Sequence, residues 1–383
     1  MSLFFVSCPL KYENELVSEM KSFWFEMIDL DGLPTRVEFP EIEIFSGGVQ
    51  MSVADHLGFQ INFFSKIASR VLLRINKFEA RYYDQFEKGF SKIEFEKYLA
   101  EPEFKIKIES HKSRLNNDKN IIEAAQNVLK KKKFTIKDQA ANTVYLRIEK
   151  DVVMVSLDTS GEHLHKRGYA GFRGEAPMRE TLAAYIVRKL QSQISINENL
   201  TVIDPFVGSG TLLFEACSSL LPNFTRKYSW LDFKIAPKLF KSSTWTKNYR
   251  WFENLQTPQC RGYDYDEKVL LAFERNKAEL KEVFAQAQFD IQAEFHDSRD
   301  LILERNQFKK SLWIITNPPY GIRLADENAI VALENLEAAV DGIIVVHPVA
   351  WRFNFVELKP VLTEEFSNQG LNLKLSIFKR KNN

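Results

Sequence analysis

The stretch LTVIDPFVGSGTLLFEACSSLL, residues 200–221, decides how this chain folds. Its first five residues are apolar and partly β-branched, as a buried strand requires, and they stop at Asp204. A glycine-rich turn fills Asp204–Thr211, and an apolar helix starts at Thr211. Gly208 and Gly210 let the backbone approach a ligand, and the first N–H groups of the helix are free to face it. Two common meanings of such a turn do not fit. A P-loop needs Lys and then Ser or Thr after its second glycine, and Thr211 stands there instead. A dinucleotide fingerprint needs a third glycine and an acidic residue about 20 positions on, and both are missing. Taken alone, the string also suits a plain tight turn between strand and helix.

Further strands lie downstream: QCRGYD (259–264), DIQAEFHD (290–297), SLWIITNPP (311–319), DGIIVVHP (341–348) and LNLKLSIFKR (371–380). Helical patterns such as EKVLLAFERNKAELKEVFAQ (267–286) and one near 328–340 separate them. Strands alternating with helices predict βαβ units and a mostly parallel sheet, closed by an antiparallel edge. Asp264 and Asp297 then stand at the C-terminal ends of successive strands, where carboxylates face the ligand crevice. Asp264 suits a pair of ribose hydroxyls and Asp297 an adenine amino group; each also suits a turn or a helix cap. Residues 219–258, rich in Trp, Phe and Lys, read as an insertion without an assigned role.

The most specific signal is IITNPPYG, Ile314–Gly321, an apolar strand running into Asn317, Pro318, Pro319 and Tyr320. Two prolines fix φ and keep a helix from starting, so the loop is rigid. Attack by a planar exocyclic amine needs such a loop, because its lone pair is delocalised into the ring. The Asn317 side-chain oxygen and the Pro318 carbonyl suit its two N–H groups, and Tyr320 suits stacking on an extruded base.

The N-terminal half is organised differently. Residues 1–50 read as a small α+β unit, and 51–158 as a second one, with helices at 53–67, 88–99 and 121–131 and a closing hairpin, VYLRIEKDVVMVSLDTS. The 52 Lys and Arg balance 51 Asp and Glu, yet the charge is unevenly spread. Residues 1–60 hold 3 basic and 10 acidic side chains, and residues 104–137 hold 10 basic and 3 acidic. Lys112, Arg114, Lys119 and Lys130, Lys131, Lys132 and Lys133 are therefore the candidate RNA face, although a solvated helix end also accounts for the four-lysine run. Cys8, Cys217 and Cys260 are too dispersed for a disulfide scaffold, a zinc site or an iron–sulfur cluster, so no metal is expected. Cys217 fits an apolar helix face, and His163 and His165, without a third ligand, fit RNA contact or loop better than metal. No run approaches the ~18 apolar residues of a membrane span and no basic leader precedes LFFV, so a cytosolic protein is expected.

The order DPFVGSGT, GYDYD, HDS, TNPPYG resembles class I S-adenosylmethionine-dependent amino-methyltransferases. DTSGEHLHKRGY followed by APMRETLAAYIV is similar to the segment before that domain in bacterial THUMP-domain 23S rRNA guanine-N2 methyltransferases. GGV, SKIASRVLLRINKFEA and HKSRL resemble their THUMP part. The resemblance covers nearly the whole chain. It implies an α/β, class I (Rossmann-like) methyltransferase domain at 159–383, a ferredoxin-like leader at 1–50 and a THUMP RNA-binding domain at 51–158. It places S-adenosyl-L-methionine at Tyr169, Ala176, Pro177, Asp204, Pro205, Phe206, Gly208, Ser209, Gly210, Thr211, Asp264, Tyr265, Asp297 and Ser298. The target amine falls at Asn317, Pro318, Pro319 and Tyr320. The implied partner is 23S rRNA before full ribosome assembly. Larger members carry a second methyltransferase domain, so one chemistry is expected here. Rival readings are a tRNA guanine-N2 enzyme, an adenine-N6 enzyme and a non-catalytic RNA-binding or ribosome-assembly factor; the intact Asn317 and GxG favour an enzyme.

Overall fold

Two units account for the chain in the computed structural model, which describes residues 1–172, 178–194, 199–242, 256–308, 311–320, 323–368 and 370–381. The first comprises Met1–His165 and Phe224–Arg250, the second Lys166–Asn223 and Trp251–Asn383. Among the described residues no helix is long and apolar enough to cross a membrane.

The first unit is built on one eight-stranded sheet. Its elements run β1 (Ser2–Ser7), α1 (Glu13–Phe23), β2 (Glu43–Phe45), β3 (Gly48–Val53), α2 (Asp55–Phe64), β4 (Arg70–Glu79), α3 (Tyr83–Phe90), α4 (Phe95–Tyr98), β5 (Glu103–His111), α5 (Asp118–Lys132), β6 (Thr135–Ile136), β7 (Asn142–Glu149) and β8 (Val152–Asp158). The strand order is β2-β3-β1-β4-β8-β7-β5-β6. Since β1 pairs with both β3 and β4, residues 1–50 and 51–158 share this sheet, and the boundary expected near residue 50 separates no two layers. The single helix expected at 88–99 is two short helices instead. Phe90 and Phe95 are both fully buried, and on one helix they would point about 140° apart, so the chain turns between them. In α5 the buried residues Ile121, Ala124, Ala125, Val128 and Leu129 follow helical spacing. Lys130, Lys131 and Lys132 lie in its last turn, where cations oppose the helix dipole, and Lys133 caps it at φ 59°. Lys132 Nζ also donates to the Ile93 carbonyl at 2.6 Å. Arg114 donates to the Tyr82 hydroxyl at 2.8 Å, and Lys112 and Lys119 are exposed.

The second unit contains α6 (Glu180–Gln191), β9 (Leu200–Asp204) and α7 (Thr211–Ser218). The chain then enters the first unit at Phe224, includes α8 (Lys238–Lys241), and leaves at Arg250. It continues through β10 (Gln259–Asp264), α9 (Glu267–Val283), β11 (Ile291–Phe295), β12 (Ser311–Thr316), α10 (Arg323–Leu336), β13 (Gly342–Pro348), β14 (Leu358–Asn368) and β15 (Leu371–Arg380). The seven strands lie in the order β11-β10-β9-β12-β13-β15-β14. The first five are parallel, while β15 runs antiparallel to both β13 and β14. Every residue of β12 is buried, which is why it reads as a continuous apolar run. The order reverses between β9 and β12, so the loops after Asp204 and Thr316 open onto the switch point, where ligands of such sheets bind.

Residues 224–242 of the expected insertion are a structural part of the first unit. Trp230 is fully buried and stacks on Phe59 at 4.9 Å with the rings 3° from parallel. Tyr228 meets Phe63 edge-on at 5.2 Å, and Phe233 meets Phe59 at 6.2 Å. Backbone bonds from Trp230 N to Thr159 O and from Lys234 N to Tyr98 O fix the segment.

Candidate active site

At the switch point of the second sheet lies a cavity of about 370 Å³. The turn after β9 lines it with Pro205, Phe206 and Gly208, and the end of β10 with Asp264 and Tyr265. Ser298 follows β11, and Asn317, Pro318, Pro319 and Tyr320 follow β12. Gly208 adopts φ +52°, and a Cβ added there would meet nothing within 4 Å. The backbone is therefore bare where it borders the cavity. Its N–H donates to Asp264 Oδ2 at 2.9 Å, while Asp266 N–H donates to Oδ1 at 3.0 Å. Burial raises the Asp264 pKa, and these backbone donors pull the other way. Burial also raises the Tyr320 phenol.

Several expected ligands are engaged elsewhere. Gly210 sits at φ +91°, and a Cβ there would lie 2.5 Å from ring carbons of both Phe214 and Phe273. Packing and the left-handed backbone by themselves demand a glycine there. Thr211 and Ser209 are buried at the start of α7, and the Ser209 carbonyl accepts from Asn276 Nδ2 at 3.0 Å. Tyr169 is 4% exposed. Its hydroxyl donates to Glu215 Oε1 at 2.9 Å and lies 2.9 Å from Ser218 Oγ, inside a network in which Arg167 also pairs with Glu215. The Asp297 carboxylate is held by the Arg299 guanidinium and backbone N–H, which keep its pKa low, and it lies outside the cavity lining. Ala176 and Pro177 fall outside the described residues.

Asp204 does not line the cavity either. Its Oδ1 accepts from Thr316 Oγ1 at 2.6 Å and from Phe206 N–H at 3.0 Å. It thus ties the end of β9 to the end of β12, holding the glycine-rich turn beside the Asn317 loop. Burial pushes its pKa up to about 7, against the hydrogen bonds from Thr316 and Phe206. A carboxyl raised above its unfolded value adds stability that is full below about pH 4 and is lost as pH rises through about 7. Asp204→Asn, whose amide oxygen still accepts both bonds, should flatten the fall in melting temperature between about pH 4 and 7. An unchanged fall would show that other groups cause it. Residues that the sequence reading missed are Met178, Asp266, Val269, His296 and Leu371, all in the lining. His296 stood inside the HDS string, whereas nothing local marks Leu371, which the β14–β15 hairpin brings in.

The family model described as UPF0020, RMKL-like, methyltransferase domain matches residues 167–339. A possible methylase from Clostridium difficile 630 superimposes with a TM-score of 0.78 at 23% identity, over 100% of this chain and 99% of its own. SMU.472, solved in complex with SAH, gives 0.76 at 19% identity, over 100% and 98%. TrmN from Thermus thermophilus gives 0.71 at 14%, over the whole of both chains. Domains of the matched kind take their methyl group from S-adenosylmethionine. Residues 167–339 are thus similar to a methyltransferase domain, and the second unit has the class I methyltransferase fold.

Proposed function

We propose that the protein methylates an exocyclic amine of a nucleic-acid base, N2 of a guanosine in 23S rRNA, with S-adenosyl-L-methionine as donor. The observation that carries this reading is the meeting of Asn317, Pro318, Pro319 and Tyr320 with Gly208 and Asp264 around one cavity. The cavity fits the donor: Gly208 leaves a bare backbone, Asp264 offers a carboxylate, and Phe206 and Val269 offer apolar surface. Bound S-adenosylmethionine supplies an electrophilic methyl group on a sulfonium sulfur. The Asn317 side-chain oxygen and the Pro318 carbonyl accept the two N–H groups of the target amine and turn its lone pair toward the cavity. As nitrogen gains positive charge, the same oxygens stabilise it, and the surplus proton passes to water. Pro318 and Pro319 hold these acceptors in place, and Tyr320 stacks on the extruded base, a contact of ~1–3 kcal/mol.

The ribosomal target rests on the THUMP-like segments and the motif before the domain. Nucleoside mass spectrometry of fractionated RNA, with and without the gene, tests it. Loss of N2-methylguanosine from 23S rRNA is expected; loss from tRNA, loss of N6-methyladenosine or no loss would each overturn the assignment. Lys112, Arg114, Lys119 and the Lys130–Lys133 run supply the RNA contacts in this reading. Each phosphate contact contributes about −0.7 to the salt slope on single strands. Lys112→Ala with Arg114→Ala should therefore flatten the salt dependence of RNA binding and leave S-adenosylhomocysteine affinity alone. An unchanged slope would place the basic face elsewhere.

A further inference from the structure

One face of the first unit's sheet is apolar and buried, with Val71, Leu73, Val144, Leu146, Val155 and Leu157. Residues of the opposite face line a cavity of about 260 Å³, just below the usual size of small-molecule sites. Phe5, Leu72, Tyr145 and Ser156 lie in it, together with Arg70, Arg74 and Arg147 and a single carboxylate, Glu109. Strand pairing fixes this cluster. Arg74 on β4 is opposite Ser156 on β8, which is opposite Tyr145 on β7, and Arg147 stands two residues along.

The three guanidiniums differ in what they hold. Arg70 is committed to Asp158, which is 1% exposed, and to the Gly161 carbonyl at 2.6 Å. Arg147, on the exposed side of β7, reaches Glu149 at 3.1 Å. The Arg74 side chain makes no hydrogen bond or ion pair among the described residues. Its guanidinium lies 4.6 Å over the Phe5 ring, and its Nε is shut off from water without an acceptor. Burial lowers its pKa to about 10, the neighbouring Arg147 charge acts the same way, and Glu43 opposes both. It remains a cation at neutral pH. A half-buried guanidinium whose Nε is shut off from water without an acceptor is costly, and a second cation beside it adds to the cost. An anion with several oxygens relieves both, and phosphate matches the guanidinium fork.

We propose that this cavity is a phosphate-binding site in which Arg74 and Arg147 take the oxygens of a phosphate group belonging to a nucleotide or a polynucleotide. The site lies within the first unit, so it stands whether or not the second unit methylates guanosine. Calorimetry on the full chain tests it with inorganic phosphate, uridine 5′-monophosphate and an RNA decamer with either a 5′-phosphate or a 5′-hydroxyl. At least one probe is expected to bind, with Arg74→Gln and Arg147→Gln each weakening it ten-fold or more. Arg74→Lys should recover part of the loss, since it keeps the charge but not the fork. S-adenosylhomocysteine affinity should stay the same in all variants. A ten-fold preference for the 5′-phosphorylated decamer would name an RNA end as the source; equal, arginine-dependent binding of both decamers would name internal phosphodiesters. Binding of the mononucleotide but of neither decamer would name a free nucleotide. Should Arg74→Gln fail to fold, Arg147→Gln carries the test. No binding of any probe at millimolar concentration, or equal affinity in wild type and Arg147→Gln, would overturn the proposal. No methyl transfer by the wild-type protein, with phosphate binding intact, would sink only the methyl-transfer reading.

Discussion

Asn317→Ala is expected to keep its cofactor and RNA affinity while losing roughly two orders of magnitude or more in turnover. In the proposed reaction the Asn317 oxygen acts where charge develops on nitrogen, so its removal should fall on the transition state more than on binding. The best-studied comparison, deletion of one oxyanion-hole donor, costs ~2.7–4 kcal/mol. The loop itself should survive, because Thr316, the residue before it, remains bonded to Asp204. Tyr320→Phe should be mild, since the ring that stacks is kept, and Tyr320→Ala severe. Single-turnover assays on rRNA fragments separate these effects. Near-normal methylation by Asn317→Ala would sink the proposed chemistry, and a severe Tyr320→Phe defect would move the role from the ring to the hydroxyl.

The two glycines of the turn should fail in opposite ways. Gly208→Asn is expected to fold, because asparagine tolerates the left-handed backbone and a Cβ there meets nothing within 4 Å. Its side chain would instead enter the cavity, so S-adenosylhomocysteine binding should drop at least ten-fold. Gly210→Ala adds a methyl 2.5 Å from two phenylalanine rings at φ +91°, so its loss should appear as stability. Left-handed strain of ~1–2 kcal/mol and overpacking of ~1–3 kcal/mol combine there. Circular dichroism melts and calorimetry on both proteins decide. Full-affinity binding by Gly208→Asn would remove the turn from the cofactor site.

The parallel sheet and its ligand edge were legible because strand composition, helical separators and the GSG turn all agree over residues 200–348. The Asn317 loop was legible because two prolines leave it few conformations. Side-chain direction was not. Asp204, Asp297 and Tyr169 stand near the expected positions, but Thr316, Arg299 and Glu215 claim them. Partners 112 residues away, as for Thr316 and Asp204, leave no local trace. Nor does a run of aromatics announce which core it will join, and residues 224–242 illustrate that limit.

The place of Trp230 sets when the first unit's core can close during synthesis. Met1–His165 emerges first, yet the rings of Phe59 and Phe63 face an unfilled gap until Tyr228, Trp230 and Phe233 have been translated, about 65 residues later. At ~5–20 residues per second that interval lasts several seconds. Strand β9, the glycine-rich turn and α7 are made during it and must not be drawn onto the waiting apolar surface. N-terminal-first folding is therefore incomplete here: the earlier half of the chain waits for a segment encoded inside the later one.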